Sequence, residues 1–186
     1  RENLVVGFIG RLERSRGLDS LYQLIENLPN FAELWIIGAG NSTAIKKFWS
    51  EVIKRRPDMS RIKFYSNIAN SEIPSYLQNI DILFNPVAAE GISRITLQSM
   101  SCGRPVIMFN IGDRYPVIPY QNRFLVEDDI NQILSLLQYL YENRSVLKTM
   151  GRNSRGIIEL EFRNESIMPK IDSVYAAVGN LCMVIN

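Results

Sequence analysis

The chain has 186 residues, 46% of them hydrophobic and 22% charged, with a net charge of +2. That length suits one domain with a substantial core rather than two, and so small a net charge gives no basis for binding nucleic acid or an anionic membrane. There is no histidine, and Cys102 and Cys182 stand far apart, which removes the usual zinc ligand sets and any Ser-His-Asp or Cys-His machinery.

Strands and helices alternate along the chain. "LVVGFI" (4–9) is rich in valine and isoleucine, as a strand buried on both faces should be. "GLDSLYQLIENL" follows as a helix with Leu18, Leu21, Ile25 and Leu28 on one face. "AELWIIG" (32–38) is a second strand. "TAIKKFWSEVIKRR" is an amphipathic helix, with Ile45, Phe48, Trp49, Val52 and Ile53 at i, i+3, i+4, i+7 and i+8 and Pro57 soon after its end. "RIKFYS" (61–66) is a third strand. A short helix over "SEIPSYLQN" has Ser71 as its expected N-cap and Pro74 in its first turn. Strands 81–86 and 104–110 flank a helix at 92–102 that Gly103 ends. A short strand at 124–126 precedes helices at about 129–142, 144–160 and 164–178, and Gly179 with a loose tail closes the chain.

This alternation predicts an α/β fold: a Rossmann-like, doubly wound parallel sheet of about six strands with C-terminal helices, one domain over 1–186. The two thiols suit reduced cysteines in a cytoplasmic protein, with a single disulfide left open. No signal peptide is visible, and no apolar run reaches the roughly 18 residues of a membrane span. The first residue is Arg1 rather than Met, so the expectation is a fragment or excised domain.

Such sheets bind ligands beyond the carboxyl ends of their strands, and three segments fall on that rim. In "GRLERSRG" (10–17), Gly10 and Gly17 bracket Arg11, Arg14 and Arg16. These guanidiniums suit a phosphate, the alternative being a solvated basic loop. In "IIGAGNST" (36–43) the third glycine of a dinucleotide fingerprint is Thr43, and no acid follows the next strand, so this is a tight turn beside a nucleotide and not an NAD site. "EDD" (127–129) precedes an apolar helical run and is taken as N-cap and first-turn acids rather than metal ligands. The loop "EGIS" (90–93) also lies on the rim, where Gly91 allows close backbone approach and the next helix offers free N–H groups to an anion.

In order and spacing, "VGFIGRLERSRGLDSL", "LWIIGAG", "FYSNIANSEIPSYLQNIDILFNP" and "EGISRITLQSMSCGRPVI" resemble the C-terminal half of glycosyltransferase family 4, retaining enzymes of GT-B fold. The resemblance implies a sugar-nucleotide-binding domain whose acceptor-binding N-terminal half lies outside this chain. It gives Arg11 and Arg16 the donor diphosphate, Glu90 the donor sugar, and position 98 the nucleotide ribose. Gly10, Gly91, Ile92, Ser93, Arg94 and Gln98 complete the expected donor-binding set, with Glu90, Arg11 and Arg16 as catalytic residues. Departures from the family pattern are Arg16 for lysine, Ser93 for glycine, Gln98 for glutamate, and Ser66–Asn67 where a glycine is usual. The implied reaction moves a hexose from a nucleotide-diphosphate sugar to a glycan, glycolipid or glycoprotein acceptor, without metal or other cofactor. Implied partners are the nucleotide sugar and the chain's own N-terminal domain, with no nucleic acid. The implied location is cytoplasmic, with peripheral association at the cytoplasmic face of a membrane left open for the full-length enzyme. A degenerate, non-catalytic nucleotide-sugar-binding or scaffolding module is the competing expectation, and an unrelated Rossmann-like nucleotide binder a third.

Overall fold

Leu4–Arg11 forms β1, and its first six residues are all buried because helices cover both faces of the strand. The computed structural model describes residues 2–87, 93–110, 121 and 123–184, with side chains described as far as residue 177. The other strands are β2 (Ala32–Ala39), β3 (Ile62–Ser66), β4 (Ile82–Asn85), β5 (Val106–Phe109) and β6 (Arg123–Val126). The helices are α1 (Leu18–Glu26), α2 (Ser42–Arg55), α3 (Ile73–Leu77), α4 (Arg94–Ser101), α5 (Ile130–Glu142), α6 (Arg144–Glu161) and α7 (Asn164–Val184), with a 3-10 turn at Arg14–Arg16. Among the described residues the sheet has six strands, all parallel, in the order β3-β2-β1-β4-β5-β6. This is the doubly wound α/β architecture that the alternation predicts.

Side-chain alternation along β1 divides the core. Leu4, Val6 and Phe8 join Leu21 and Ile25 of α1, Phe48 and Val52 of α2, and Leu137 of α5 on one face. Val5 and Ile9 join Ile73 and Leu77 of α3 and Met100 of α4 on the other. Helix α6 bridges the two layers. It crosses the turn after α4 so closely that a Cβ on Gly151 would lie 2.1 Å from the Gly103 carbonyl oxygen.

The pairing of β1 differs on its two sides. Its register with β2 runs from Leu4↔Ala32 to Arg11↔Ala39, whereas with β4 it consists of Val6↔Ile82 and Gly7↔Leu83. Asp81 extends the latter contact with a side chain: its Oδ2 accepts the Val5 N–H at 2.8 Å and lies 3.2 Å from the Arg144 guanidinium.

Three local expectations are corrected. The N-cap of α3 is Glu72 and not Ser71, and it makes no side-chain cap bond. Pro74 fits only the first turn, so the helix starts at Ile73, and the Glu72 carboxylate instead accepts the Ala69 N–H at 3.3 Å. The helix expected at 92–102 begins at Arg94, because Ser93 is extended (φ −76°, ψ 146°) and caps it through its side chain. Helix α7 passes Gly179 and runs to Val184. One glycine costs a helix interior about 1 kcal/mol and does not by itself end it. Gly103, at φ 67°, does close α4 as expected. Cys102 just before it is a free cysteine whose thiol burial pushes up; the Cys182 side chain lies outside those described. Among the described residues no helix is long and apolar enough to cross a membrane.

Candidate functional site

The chain leaves β1 toward β2 on one side and returns to β4 on the other. The loops beyond these strands therefore diverge, and a crevice opens where the strand order reverses. It holds a cleft of about 310 Å³. Gly10 and Arg11 enter it from β1, Gly38 and Ala39 from β2, and Asn85 from β4, while Ser93, Arg94 and Gln98 come from the start of α4. The apolar wall is mostly isoleucine, Ile37, Ile68, Ile73 and Ile95 among them, with Phe8 and Val87. Of the described residues that line the cleft, Arg11, Arg16 and Arg94 are cationic and none is acidic. Such a lining suits an anion joined to a less polar body.

The arginines of the first loop separate. Gly17 takes φ 75°, and a Cβ there would sit 2.1 Å from the Pro86 carbonyl oxygen, so only glycine lets the loop after β1 press against the loop after β4. This contact seats the 3-10 turn so that Arg16 joins Arg11 in the cleft. Arg14 points elsewhere, exposed and 3.6 Å from Asp19. Glu13 lies beside both cleft arginines, with Oε1 3.2 Å from Arg11 and 3.9 Å from Arg16. The same oxygen accepts the Ser15 hydroxyl at 2.8 Å.

The start of α4 is pinned from beneath. Asn85 is buried at the end of β4 and donates to Ser93 Oγ at 3.1 Å and to Thr96 Oγ1 at 2.9 Å. Those two hydroxyls are themselves 2.9 Å apart, and Ser93 Oγ accepts the Thr96 N–H. Arg94 and Gln98 stand one turn apart and both reach the cleft, while Thr96, Ser99 and Met100 are buried. Ile95 also lines the cleft. The Gln98 amide nitrogen donates to Asn70 Oδ1 at 3.2 Å, which joins α4 to the segment after β3.

The remaining rim segments are structural turns. Asn67 adopts φ 51°, a left-handed conformation that asparagine tolerates better than most residues. Its N–H reaches Gly38 O and its Oδ1 accepts the Gly40 N–H, so it ties the ends of β2 and β3 together. Asn41 caps α2 by accepting the Ala44 N–H. Asp129 caps α5 as expected, but no acid lies in its first turn: Asp128 and Glu127 precede the helix, where Asp128 accepts the Ser20 hydroxyl and Glu127 accepts the Asn110 amide.

Glu90, Gly91 and Ile92, expected at the donor sugar, lie outside the described residues. Gly10, Arg11, Arg16, Ser93, Arg94 and Gln98 are brought together around one cleft. Sequence reasoning did not single out Glu13, Asn70 or Asn85. For Asn85 a signal existed, since it is the one polar residue within an otherwise apolar strand, Ile82–Asn85.

The model of the family described as Glycosyl transferases group 1 matches residues 3–143. The capsular polysaccharide biosynthesis glycosyltransferase CapM of Staphylococcus aureus is 24% identical over 180 residues, 94% of this chain and 46% of that protein. Sucrose-phosphate synthase of Thermosynechococcus elongatus aligns with a TM-score of 0.86 at 21% identity, over 97% of this chain and 46% of that one. Anabaena HepE, solved in complex with UDP-glucose, aligns with a TM-score of 0.79 at 22% identity, over 94% of this chain and 49% of that one. The chain spans about half the length of the curated relatives it matches. With the match running from the start of β1 through the last residue of α5, across every strand that shapes the cleft, the chain belongs to the Glycosyl transferases group 1 family.

Proposed function

We propose that this domain binds the sugar-nucleotide donor of a retaining, GT-B, family 4 glycosyltransferase, whose acceptor-binding domain lies outside this chain. The observation that carries the reading is the cleft at the strand reversal, lined by Arg11, Arg16 and Arg94 and by no described acid. Arg11 and Arg16 offset the charge that builds on the diphosphate as the glycosidic bond to it breaks, an electrostatic stabilisation that requires no metal. Glu90 and the backbone of Gly91 and Ile92 orient the sugar by the motif resemblance, and Gln98 meets the ribose. The transferred group is a hexose, and the acceptor a glycan, glycolipid or glycoprotein. The capsular polysaccharide relative and the UDP-glucose complex of HepE support that choice. The holoenzyme works in the cytoplasm, with peripheral attachment to a membrane as a further proposal.

Calorimetry with nucleoside diphosphates in EDTA tests the reading. A charge-assisted hydrogen bond is worth about 1.5–3 kcal/mol, so Arg16→Ala is expected to weaken binding by roughly 10- to 150-fold. Binding that vanishes in EDTA, or that ignores Arg16→Ala, rejects the phosphate assignment. These 186 residues are expected to bind donor without transferring sugar, since transfer needs an acceptor held against the anomeric carbon. The second reading, a non-catalytic binding module, draws on Gln98 and Ser93, whose side chains are engaged within the chain. It is distinguished by the absence of transfer when the full-length protein is assayed with labelled nucleotide sugar and acceptor extract.

A further inference from the structure

One side-chain hydrogen bond of the cleft joins α4 to the segment after β3. Gln98 projects from α4 and Asn70 from the segment after β3, both line the cleft, and the Gln98 Nε2 donates to Asn70 Oδ1 at 3.2 Å. We propose that Asn70 is a positioning residue of the donor site: it holds the Gln98 amide so that its oxygen, and not its nitrogen, meets the ribose hydroxyls of a bound nucleoside diphosphate. The inference rests on the donor-binding reading above and adds a residue to it.

The argument is one of hydrogen-bond polarity. An amide has one accepting end and one donating end, and a half-turn about its last bond exchanges them. A carboxylate at position 98 would present an acceptor either way. Glutamine presents one in only one of its two orientations, and a partner for its NH2 favours that one. Asn70 Oδ1 occupies it, which leaves Oε1 as the acceptor for hydroxyl donors. The bond also ties α4 to the segment between Ile68 and Ile73, whose side chains form part of the apolar wall. The ribose subsite is thereby assembled from two elements, and the glutamine at position 98 presents an acceptor to the hydroxyl donors of a sugar diol.

Two substitutions separate this role from general support of the fold. Asn70→Asp keeps an acceptor that takes only the NH2 of Gln98. Asn70→Ala removes it and lets the amide turn. The probes are UDP, GDP or ADP, whichever binds tightest, and its 2′,3′-dideoxy analogue, with the ratio of the two affinities as the readout. The charge added by aspartate affects both ligands alike and cancels in that ratio. The wild-type domain is expected to prefer the ribonucleotide by roughly threefold to tenfold, as one neutral hydrogen bond allows. Asn70→Ala is expected to reduce that preference, Asn70→Asp to keep it, and Gln98→Ala to lose it without further loss in the Asn70→Ala Gln98→Ala double variant. A preference retained by Asn70→Ala, or lost equally by Asn70→Asp, overturns the proposal. Nucleotide binding without ribose preference in the wild type overturns it while leaving the donor reading in place. Failure of the wild type to bind any of the three nucleotides overturns the donor reading and this inference with it.

Discussion

Arg11 and Arg16 meet an acid of their own chain before any ligand arrives. The Glu13 carboxylate stands 3.2 Å from one and 3.9 Å from the other, in the role a phosphate oxygen would take. A ligand anion must displace it or share the cations with it. Exposed ion pairs contribute about 0.2–1 kcal/mol each, so Glu13→Gln is expected to tighten nucleoside diphosphate binding roughly twofold to tenfold. Calorimetry at low and moderate salt checks this, with the gain shrinking as salt rises; weaker binding by the variant would remove Glu13 from the role of competitor. The residues legible in the sequence were those whose place follows from short-range offsets. Arg11 ends a strand, Arg16 follows within one loop, and Arg94 and Gln98 are one helical turn apart. Asn70 was not legible, because its partner is 28 residues away and only the folded sheet brings them together. The motif resemblance makes Ser93 a ligand residue, but its hydroxyl is committed to Asn85 and Thr96, which leaves its backbone as what it can offer the cleft.

At the scale of elements, α6 carries two glycines in opposite situations. A Cβ on Gly151 would meet the Gly103 carbonyl oxygen at 2.1 Å, whereas one on Gly156 would have nothing within 4 Å. The backbone at Gly103 cannot yield as a flexible side chain would, so Gly151→Ala must push α6 away from α4 at a cost of about 1–3 kcal/mol. Gly156→Ala instead gains helix propensity of roughly 0.5–1 kcal/mol. Denaturant unfolding of the two variants should therefore shift in opposite directions; a shift of the same sign in both would refute the close crossing of α6. The elements themselves were well marked in the sequence, because buried strands read as continuous apolar runs and the helices show their period clearly. Their ends were less so. The start of α3 depended on where Pro74 could be tolerated, and the length of α7 on whether Gly179 had any turn to make. Neither is a matter of composition.

For the molecule as a whole, the doubly wound sheet was legible because strand–helix alternation admits few other arrangements. What alternation does not reveal is how firmly each strand grips its neighbour. β1 pairs with β2 along its whole length, but with β4 at Val6↔Ile82 and Gly7↔Leu83, extended by the bonds between Val5 and Asp81. The cleft straddles that contact, with Arg11 and Gly38 on one side and Asn85, Arg94 and Gln98 on the other. A ligand that touches both sides at 100 times its dissociation constant adds about 2.7 kcal/mol to global stability. Hydrogen exchange is expected to slow most in β4 and at the start of α4, and least between β2 and β3; slowing centred on β2 and β3 would place the ligand elsewhere. The short β1–β4 contact thus makes the sheet two plates joined by a narrow weld, with the cleft positioned like a rivet hole across it. A ligand held across that weld would stiffen the joint between the plates, and a loaded domain would then differ mechanically from an empty one even where no atom of its backbone had changed place.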